Sequence, residues 1–464
     1  MKKYLKIFVL IFALCFIVNV NCVSVYATSS PDYDKISKQL ADDVKKHHIP
    51  GMAVMVVDKD SVLFQETYGN CNSIDTPFII GSMSKSFTAV AIMQLVEENK
   101  IDLNKPVSEY INATEWFVDS SDCEKITVRD LLNQTSGIEA FQTFGDLEST
   151  DSYGKYIYAN ANYGLLGLII ESVSRQTYEE YITKNIFEPL GMTHSAATLE
   201  KSEENGLIPG YRNYFGIPVK GKPDYPDEIK SGMWTNVPAG YLSASASDMG
   251  EYLQMYLNGG ENILSEKSIN NMFYDNVPAD EGSYYGMGWN YSTEMFSKPV
   301  IWHAGLVENY TSNMFIIPEE GIAVVVLVNM NDYLVTNNLL ANIVNPLIGE
   351  ERQDLPNLYL ILHLAIDVIC LLLCFISIFS IVTANRDNKK GKRTSIVINV
   401  IIHIGLPLLL IFAPMLLGTP IYVFWLFVKD ICVLFYANAI VLIGVGIYKL
   451  LIIKHRELKS DKIT

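Results

Sequence analysis

Residues 78–88 read FIIGSMSKSFT, an apolar run typical of a strand that turns at Gly81 into a helical pattern. Ser82 and Lys85 lie three positions apart, so a helix places them on the same face. A serine hydroxyl is a weak nucleophile until a base takes its proton, and a lysine needs a lowered pKa to be that base. The first turn of a helix and burial both lower a lysine pKa. The stretch therefore predicts a serine nucleophile with a lysine as its base.

Two further motifs follow this stretch along the chain. YAN, residues 158–160, opens a helical pattern, and WHAGL, residues 302–306, lies on a late strand. In this order the three motifs resemble those of the class C β-lactamase and penicillin-binding-protein-like family of serine hydrolases. The resemblance covers about residues 34–345. It implies an α/β (α+β) fold, in which an antiparallel sheet is flanked by helices and joined by a helical subdomain.

The resemblance also implies a role for each motif residue. Ser82 is the expected nucleophile, which forms an acyl-enzyme, with Lys85 as its base and Tyr158 as the proton relay. Asn160 is expected to bind a substrate amide and Lys85. The backbone N–H groups of Ser82 and Leu306 are expected to form the oxyanion hole. These roles require no cofactor, and the sequence shows no metal-ligand spacing.

The late strand departs from the family pattern at two positions. His303, Ala304 and Gly305 stand where the family carries a Lys-Thr-Gly triad. A lysine and a threonine recognise the carboxylate of a β-lactam or of a C-terminal D-alanine, whereas histidine is mostly neutral near pH 7 and the alanine side chain forms no hydrogen bond. We expect His303 and Gly305 among the substrate-binding residues, and we expect substrates that lack a terminal carboxylate.

Two classes of function are consistent with these motifs. The first is a membrane-anchored, exported serine hydrolase that acts on a D-amino-acid-containing peptide, an N-acyl-D-amino-acid prodrug cap or an ester. Its nearest architectural match is a group of exported peptidases that carry three C-terminal helices. The alternatives are a sensor of β-lactams or cell-wall fragments, a true β-lactamase and a D-Ala-D-Ala carboxypeptidase.

The ends of the chain predict export and membrane attachment. Three lysines precede the apolar run 7–18, and Val25-Tyr26-Ala27 fits a signal peptidase site, so residues 1–27 are the expected signal peptide. Residues 28–350 then form the hydrolase domain and residues 351–357 a linker. Three apolar segments, 358–382, 395–417 and 431–453, reach the ~20 residues that a transmembrane helix needs. The basic loop 386–393 and tail 454–464 place the domain outside the cell membrane.

Ionisable residues interrupt the first two predicted spans. His363, Asp367 and His403 lie in otherwise apolar sequence, where a charged group costs on the order of 2.5–3.5 kcal/mol. We consider two interpretations: a polar clamp between the first and second spans, and a polar groove that extends the active site.

Charge and cysteine content limit the partners. The chain has a net charge of −16, with its acidic residues concentrated before the predicted spans, which argues against binding to nucleic acid. The expected partners are a small substrate and the lipid bilayer. Cys71 and Cys123 are the cysteines outside the apolar segments, and a disulfide between them is one alternative for an exported protein.

The secondary-structure pattern predicts a sheet built from both ends of the domain. The expected strands are 51–57, 62–68, 286–291, 300–304, 313–317 and 322–328, with helices over 32–48, 248–257 and 334–348. Residues 196–235 are rich in Gly, Pro and Tyr and are interpreted as an irregular surface excursion that borders the site.

Overall fold

The computed structural model describes residues 31–226, 229, 236–331, 333–352, 358–384, 400–416 and 418–460. They form two compact units, one of residues up to Arg212 together with Lys220–Tyr359, the other of Asn213–Val219 together with the residues from Leu360 onward. The expected signal peptide and the basic loop 386–393 lie outside the described residues.

Most of the described strands form one large sheet. The strands are β1 (Gly51–Asp58), β2 (Val62–Gly69), β3 (Phe78–Ile79), β4 (Gly210–Tyr214), β5 (Ile217–Gly221), β6 (Ser243–Ala244), β7 (Val277–Asp280), β8 (Ser283–Tyr285), β9 (Asn290–Ser292), β10 (Val300–Val307), β11 (Tyr310–Ile317), β12 (Ile322–Val328) and β13 (Met330–Asn331). Eight of them pair in the order β2-β1-β12-β11-β10-β9-β8-β7, and the pairs are antiparallel. The pairing of β1 with β12 confirms that both ends of the domain build the sheet.

Helices cover both faces of this sheet. The helices of the first unit are α1 (Tyr33–Lys46), α2 (Ser84–Glu97), α3 (Asp122–Lys125), α4 (Val128–Leu132), α5 (Asn160–Ser174), α6 (Tyr178–Ile182), α7 (Leu199–Glu204), α8 (Val237–Gly240), α9 (Ala246–Leu257), α10 (Glu266–Tyr274) and α11 (Tyr333–Leu347). Helices α1 and α11 contribute to one hydrophobic core, and α2, α5 and α9 to the other.

Strand β1 shows why its sequence is apolar throughout rather than alternating. Val54 and Val56 belong to the core under α1 and α11, whereas Ala53 and Met55 belong to the core under α2 and α9. Successive side chains of a strand point to opposite faces, so a sheet covered on both sides needs apolar residues at every position. Each fully buried Val or Met contributes roughly 1.5–3 kcal/mol.

Helix α2 is the centre of the second of these cores. Its residues from Ser84 to Met93 are all buried, as is Leu95, so it has no solvent-facing stripe. A helix that is buried all round belongs in the interior of a large domain. This position takes Lys85 out of water together with its apolar neighbours.

Two predictions about the elements were wrong. The expected strand 286–291 is interrupted, because Gly286 lies against the Met272 carbonyl and Gly288 adopts a φ of +81°. The excursion 196–235 is also not irregular throughout, since it contains helix α7 and the strands β4 and β5.

The two described cysteines of the first unit are free thiols. Cys71 and Cys123 are both buried, and each Sγ donates to a nearby backbone carbonyl, that of Ser73 and that of Ser120 respectively. The disulfide considered from the sequence is therefore absent, because each thiol is held within its own local turn.

The second unit is mainly helical. Its helices are α12 (Leu358–Ala384), α13 (Leu406–Leu416), α14 (Ile421–Phe427) and α15 (Lys429–Ser460). Among the described residues, Lys429–Leu451 is long and apolar enough to cross a membrane, and the bent pair Ile401–Leu416 and Ile421–Phe427 adds a second candidate if it forms one span. The apolar part of α12, His363–Phe379, is shorter. The described residues therefore hold one or two candidate spans, against the three that the sequence predicted.

The buried polar residues of this unit contact its last helix. His363 Nδ1 lies 3.4 Å from Asp430 Oδ2, and His403 Nδ1 donates to the Leu442 carbonyl over 2.9 Å. The expected clamp joined the first predicted span to the second. The two distances join His363 and His403 to α15, where the Asp430 carboxylate is buried beside His363.

Candidate active site

The Ser82 turn joins strand β3 to helix α2. Gly81 adopts a φ of +55°, which a glycine adopts at little cost, and Gly81–Met83 form a 3-10 turn before the α-helix begins at Ser84. Ser82 is half-buried and Lys85 is fully buried. The turn therefore presents the hydroxyl at a surface while it keeps the amine inside.

The Lys85 amine is surrounded by three oxygen atoms. Nζ lies 3.0 Å from Ser82 Oγ, 2.7 Å from Asn160 Oδ1 and 2.6 Å from the Ala239 carbonyl oxygen. Burial lowers the pKa of Lys85 well below its ordinary value.

A neutral amine is compatible with these three contacts. It has two N–H donors and one lone pair, and the Asn160 and Ala239 oxygens are acceptors that take the two donors. Its lone pair is then left for the Ser82 hydroxyl, whose Oγ lies 3.0 Å from Nζ, whereas an ammonium donates to all three oxygens. The contacts therefore place the Ser82 hydroxyl within hydrogen-bonding distance of the Lys85 amine in either protonation state.

Tyr158 lies two residues before α5, beside the amine. Its ring centroid is 4.6 Å from Lys85 Nζ and 6.3 Å from the His303 ring. Asn160 stands at the start of α5, so one short segment brings both predicted residues to the site.

His303 on β10 is buried rather than exposed to solvent. Its Nδ1 lies 2.7 Å from the Ala304 carbonyl, which only accepts, so Nδ1 carries the hydrogen. Nε2 is then the acceptor for the Tyr285 hydroxyl at 3.4 Å. Burial, followed by the nearby charge of Lys85, lowers the pKa of His303 to about 3. The strand where the family carries a cation therefore holds a neutral ring.

Strand β10 lies directly against the Ser82 turn. A Cβ at Gly305 would lie 2.1 Å from the Ile80 carbonyl oxygen, and a Cβ at Gly81 would lie 2.5 Å from the Leu306 backbone N. Real side chains do not approach this closely, so both positions require glycine. This packing brings the Leu306 backbone N–H close to the Ser82 turn.

The comparisons with known proteins agree with this arrangement. The beta-lactamase family model matches residues 36–341. The chain belongs to the beta-lactamase family. This confirms the resemblance and the fold inferred from the motifs.

Relatives in the beta-lactamase family share moderate identity with the chain. Protein flp of Staphylococcus aureus strain N315 is 28% identical over 329 residues, which cover 64% of this chain and 63% of that protein. The unguisins hydrolase ungD' of Aspergillus campestris is 26% identical over 348 residues, which cover 64% of this chain and 61% of that protein. The chain thus spans less than two thirds of the length of these curated relatives.

Solved structures of similar fold include two named proteins. The octameric penicillin-binding protein homologue from Pyrococcus abyssi has a TM-score of 0.58 at 29% identity and covers 69% of this chain and 79% of its own. A D-stereospecific amidohydrolase from Streptomyces sp. has a TM-score of 0.53 at 20% identity and covers 66% of this chain and 98% of its own. The second likeness bears on the beta-lactamase fold alone.

Sequence reasoning missed two groups at this beta-lactamase-family site. The Ala239 acceptor is a backbone atom, so no residue type signals it. Tyr285 lies one residue before the predicted strand 286–291, and its partner His303 is distant in sequence. Within the described part of the chain, no group of three or more His, Cys, Asp or Glu residues is placed to hold a metal ion.

Proposed function

We propose that the chain is a serine hydrolase that cleaves amide or ester bonds through an acyl-enzyme on Ser82. The observation that carries this proposal is the fully buried Lys85 amine, which lies 3.0 Å from Ser82 Oγ, 2.7 Å from Asn160 Oδ1 and 2.6 Å from the Ala239 carbonyl oxygen. Burial depresses the pKa of Lys85, and a neutral lysine is able to accept the serine proton.

The first half of the reaction forms the acyl-enzyme. Lys85 takes the proton of Ser82 as Oγ attacks the substrate carbonyl carbon. The backbone N–H groups of Ser82 and Leu306 stabilise the resulting oxyanion. As the carbonyl reforms, the bond to the leaving amine or alcohol breaks. Tyr158 passes the proton from Lys85 to that leaving group, which departs neutral.

The second half releases the acyl group. Water loses a proton to the same Lys85 and Tyr158 system while its oxygen attacks the ester carbonyl. The tetrahedral intermediate collapses, Ser82 Oγ leaves and recovers its proton, and the carboxylic acid departs.

The proposed substrate class rests on the absence of a cationic side chain at His303 and of a hydroxyl at Ala304 on β10. His303 and Ala304 offer no cation and no side-chain hydroxyl to a terminal carboxylate. We infer that peptides containing D-amino acids, an N-acyl-D-amino-acid cap or simple esters are better substrates than β-lactams or D-Ala-D-Ala peptides. The relative named as an unguisins hydrolase supports a hydrolytic role. Asn160 is the proposed ligand of the substrate amide.

We further propose that the second unit attaches the enzyme to a bilayer. The helix Lys429–Leu451 supports at least one span, and the bent pair of helices supports a second. The proposed orientation, with the catalytic domain outside the cell membrane, rests on the basic residues that flank the predicted spans.

A panel of substrates tests the proposed function. The full chain in detergent is assayed with an acyl ester, a D-amino-acid amide, a chromogenic β-lactam and a D-Ala-D-Ala peptide. We expect repeated turnover of the ester or amide and weak β-lactam turnover. Ser82→Ala should abolish turnover of the ester and the amide. Ser86→Ala removes a buried hydroxyl that donates to the Met83 carbonyl, and it should leave most of this turnover. A single acylation without turnover indicates a sensor, and efficient cephalosporin hydrolysis indicates a β-lactamase.

A further inference from the structure

A buried hydroxyl joins the central sheet to the nucleophile turn. Ser312 on β11 lies directly across from Gly305 on β10. Its Oγ donates to the Ile80 carbonyl oxygen over 2.7 Å, and both residues are buried. Ile80 stands two positions before Ser82, so this bond ends on the backbone that carries the nucleophile.

Other hydrogen bonds hold the remaining groups of this turn. The Ile80 N–H donates to the Leu242 carbonyl over 2.9 Å, and Ser84 Oγ donates to the Gly81 carbonyl over 2.7 Å. The Ile80 carbonyl also accepts the Met83 N–H, at the longer distance of 3.3 Å. These bonds link residues within the turn to one another and to Leu242, whereas the Ser312 bond links the turn to the strand pair β10–β11.

The absence of a side chain at Gly305 leaves room for the Ser312 hydroxyl to reach the Ile80 carbonyl. A Cβ at Gly305 would lie 2.1 Å from the Ile80 oxygen and 2.3 Å from Ser312 Oγ. The turn and the strand therefore approach as closely as their backbones permit. The Ser312 hydroxyl lies where the Ile80 peptide meets β10.

We propose that Ser312 is a positioning residue that sets the geometry of the oxyanion hole. By holding Ile80, it fixes the distance between the Ser82 turn and the Leu306 peptide, so that their two N–H groups converge on one oxygen. The inference rests on the proposed acyl-enzyme function. Loss of one oxyanion donor costs about 10²–10³-fold in kcat, and a shift of about 1 Å costs about 10²-fold. Removal of the Ser312 hydroxyl should lower kcat about 10–100-fold with little change in KM.

Thr311 offers a matched control on the same strand. It is equally buried, and its hydroxyl donates over 2.7 Å to the Met330 carbonyl. Thr311→Val removes that hydroxyl at nearly constant volume. Ser312→Ala and Thr311→Val should each cost some stability, because each leaves a buried acceptor with one donor fewer. Only Ser312→Ala should lower kcat by the factor above.

A comparison of kcat for two ester substrates tests the geometry of the oxyanion hole directly. The wild type should hydrolyse an oxygen ester far faster than its thiono analogue, because sulfur fits poorly between donors set for oxygen. In Ser312→Ala the ratio of the two kcat values should fall at least about 5-fold, while in Thr311→Val it should be unchanged. Ser312→Thr, which keeps the hydroxyl, should retain most of the wild-type ratio and is informative even if the alanine variant fails to fold.

Three results would overturn the proposal: a kcat for Ser312→Ala as high as that for Thr311→Val, a loss confined to KM, or an unchanged ratio of oxygen to thiono ester. Ser82→Ala separates this failure from that of the proposed function. If Ser82→Ala is inactive and Ser312→Ala is unaffected, only the positioning role is wrong. If Ser82→Ala remains active, the acyl-enzyme proposal itself is wrong.

Discussion

Replacement of Asn160 by aspartate tests the protonation state of the base. Asn160 Oδ1 accepts from Lys85 Nζ over 2.7 Å inside the first unit. Asn160→Asp keeps the shape of this contact and adds a negative charge. An opposite charge so close favours the ammonium form, so the pKa of Lys85 rises and the neutral base is lost at a higher pH than in the wild type.

The size of the effect follows from the distance. Two unit charges 2.7 Å apart attract by about 6 kcal/mol at an effective dielectric constant of about 20. At 1.36 kcal/mol per pKa unit this equals about 4 units, from which the cost of burying the carboxylate is subtracted. If about half of the shift remains, the acid limb of the pH profile of kcat/KM moves up by about 2 pH units. At a pH on the acid limb, turnover should then fall by up to about 100-fold relative to the wild type and recover as the pH rises.

The assay is kcat/KM for an acyl ester as a function of pH. Asn162→Asp is the matched control, because Asn162 is buried two residues later and contacts Gln134 and Ser136 rather than Lys85. It also buries a carboxylate, yet it should leave the acid limb in place. The reasoning is refuted if the Asn160→Asp limb coincides with that of the wild type, or if both variants shift it equally.

Two further predictions concern strand β10. His303→Gln should leave the acid limb of the pH profile unchanged, since a pKa of about 3 keeps His303 neutral at any pH well above 3; a limb that moves with the variant would show that His303 titrates there. Gly305→Ala should lower kcat by at least about 100-fold, because its Cβ would lie 2.1 Å from the Ile80 carbonyl, whereas Gly221→Ala enters open space and should be silent in the same ester assay. Equal activity of the two alanine variants would contradict the close packing of β10 on the nucleophile turn.

The parts of the site that the sequence predicted depend on local spacing or on side-chain type. A separation of three residues was enough to bring Ser82 and Lys85 together, and the motif order placed Asn160 and β10 beside them. The expected strand 51–57 likewise corresponds to β1. In each case the prediction depends on side-chain types that are visible in the sequence.

The parts that it did not predict depend on backbone atoms or distant contacts. The Ala239 acceptor is a carbonyl that any residue would supply, and the interruption after β8 results from contact between Gly286 and the Met272 carbonyl. The three predicted spans also exceed the one or two candidates among the described residues, where one pair of helices is bent. The bonding of Asp430 to His363 could not be read from spacing, since the two residues lie on different helices.

Trapping of the covalent intermediate tests the central claim most directly. The full chain is mixed with a slowly deacylating ester or a fluorophosphonate, quenched with acid and digested, and the modified peptide is sequenced by mass spectrometry. We expect one adduct, on Ser82, that is absent from Ser82→Ala and much slower to form in Lys85→Ala. An adduct that persists in Ser82→Ala, or that forms at the wild-type rate without Lys85, would contradict it.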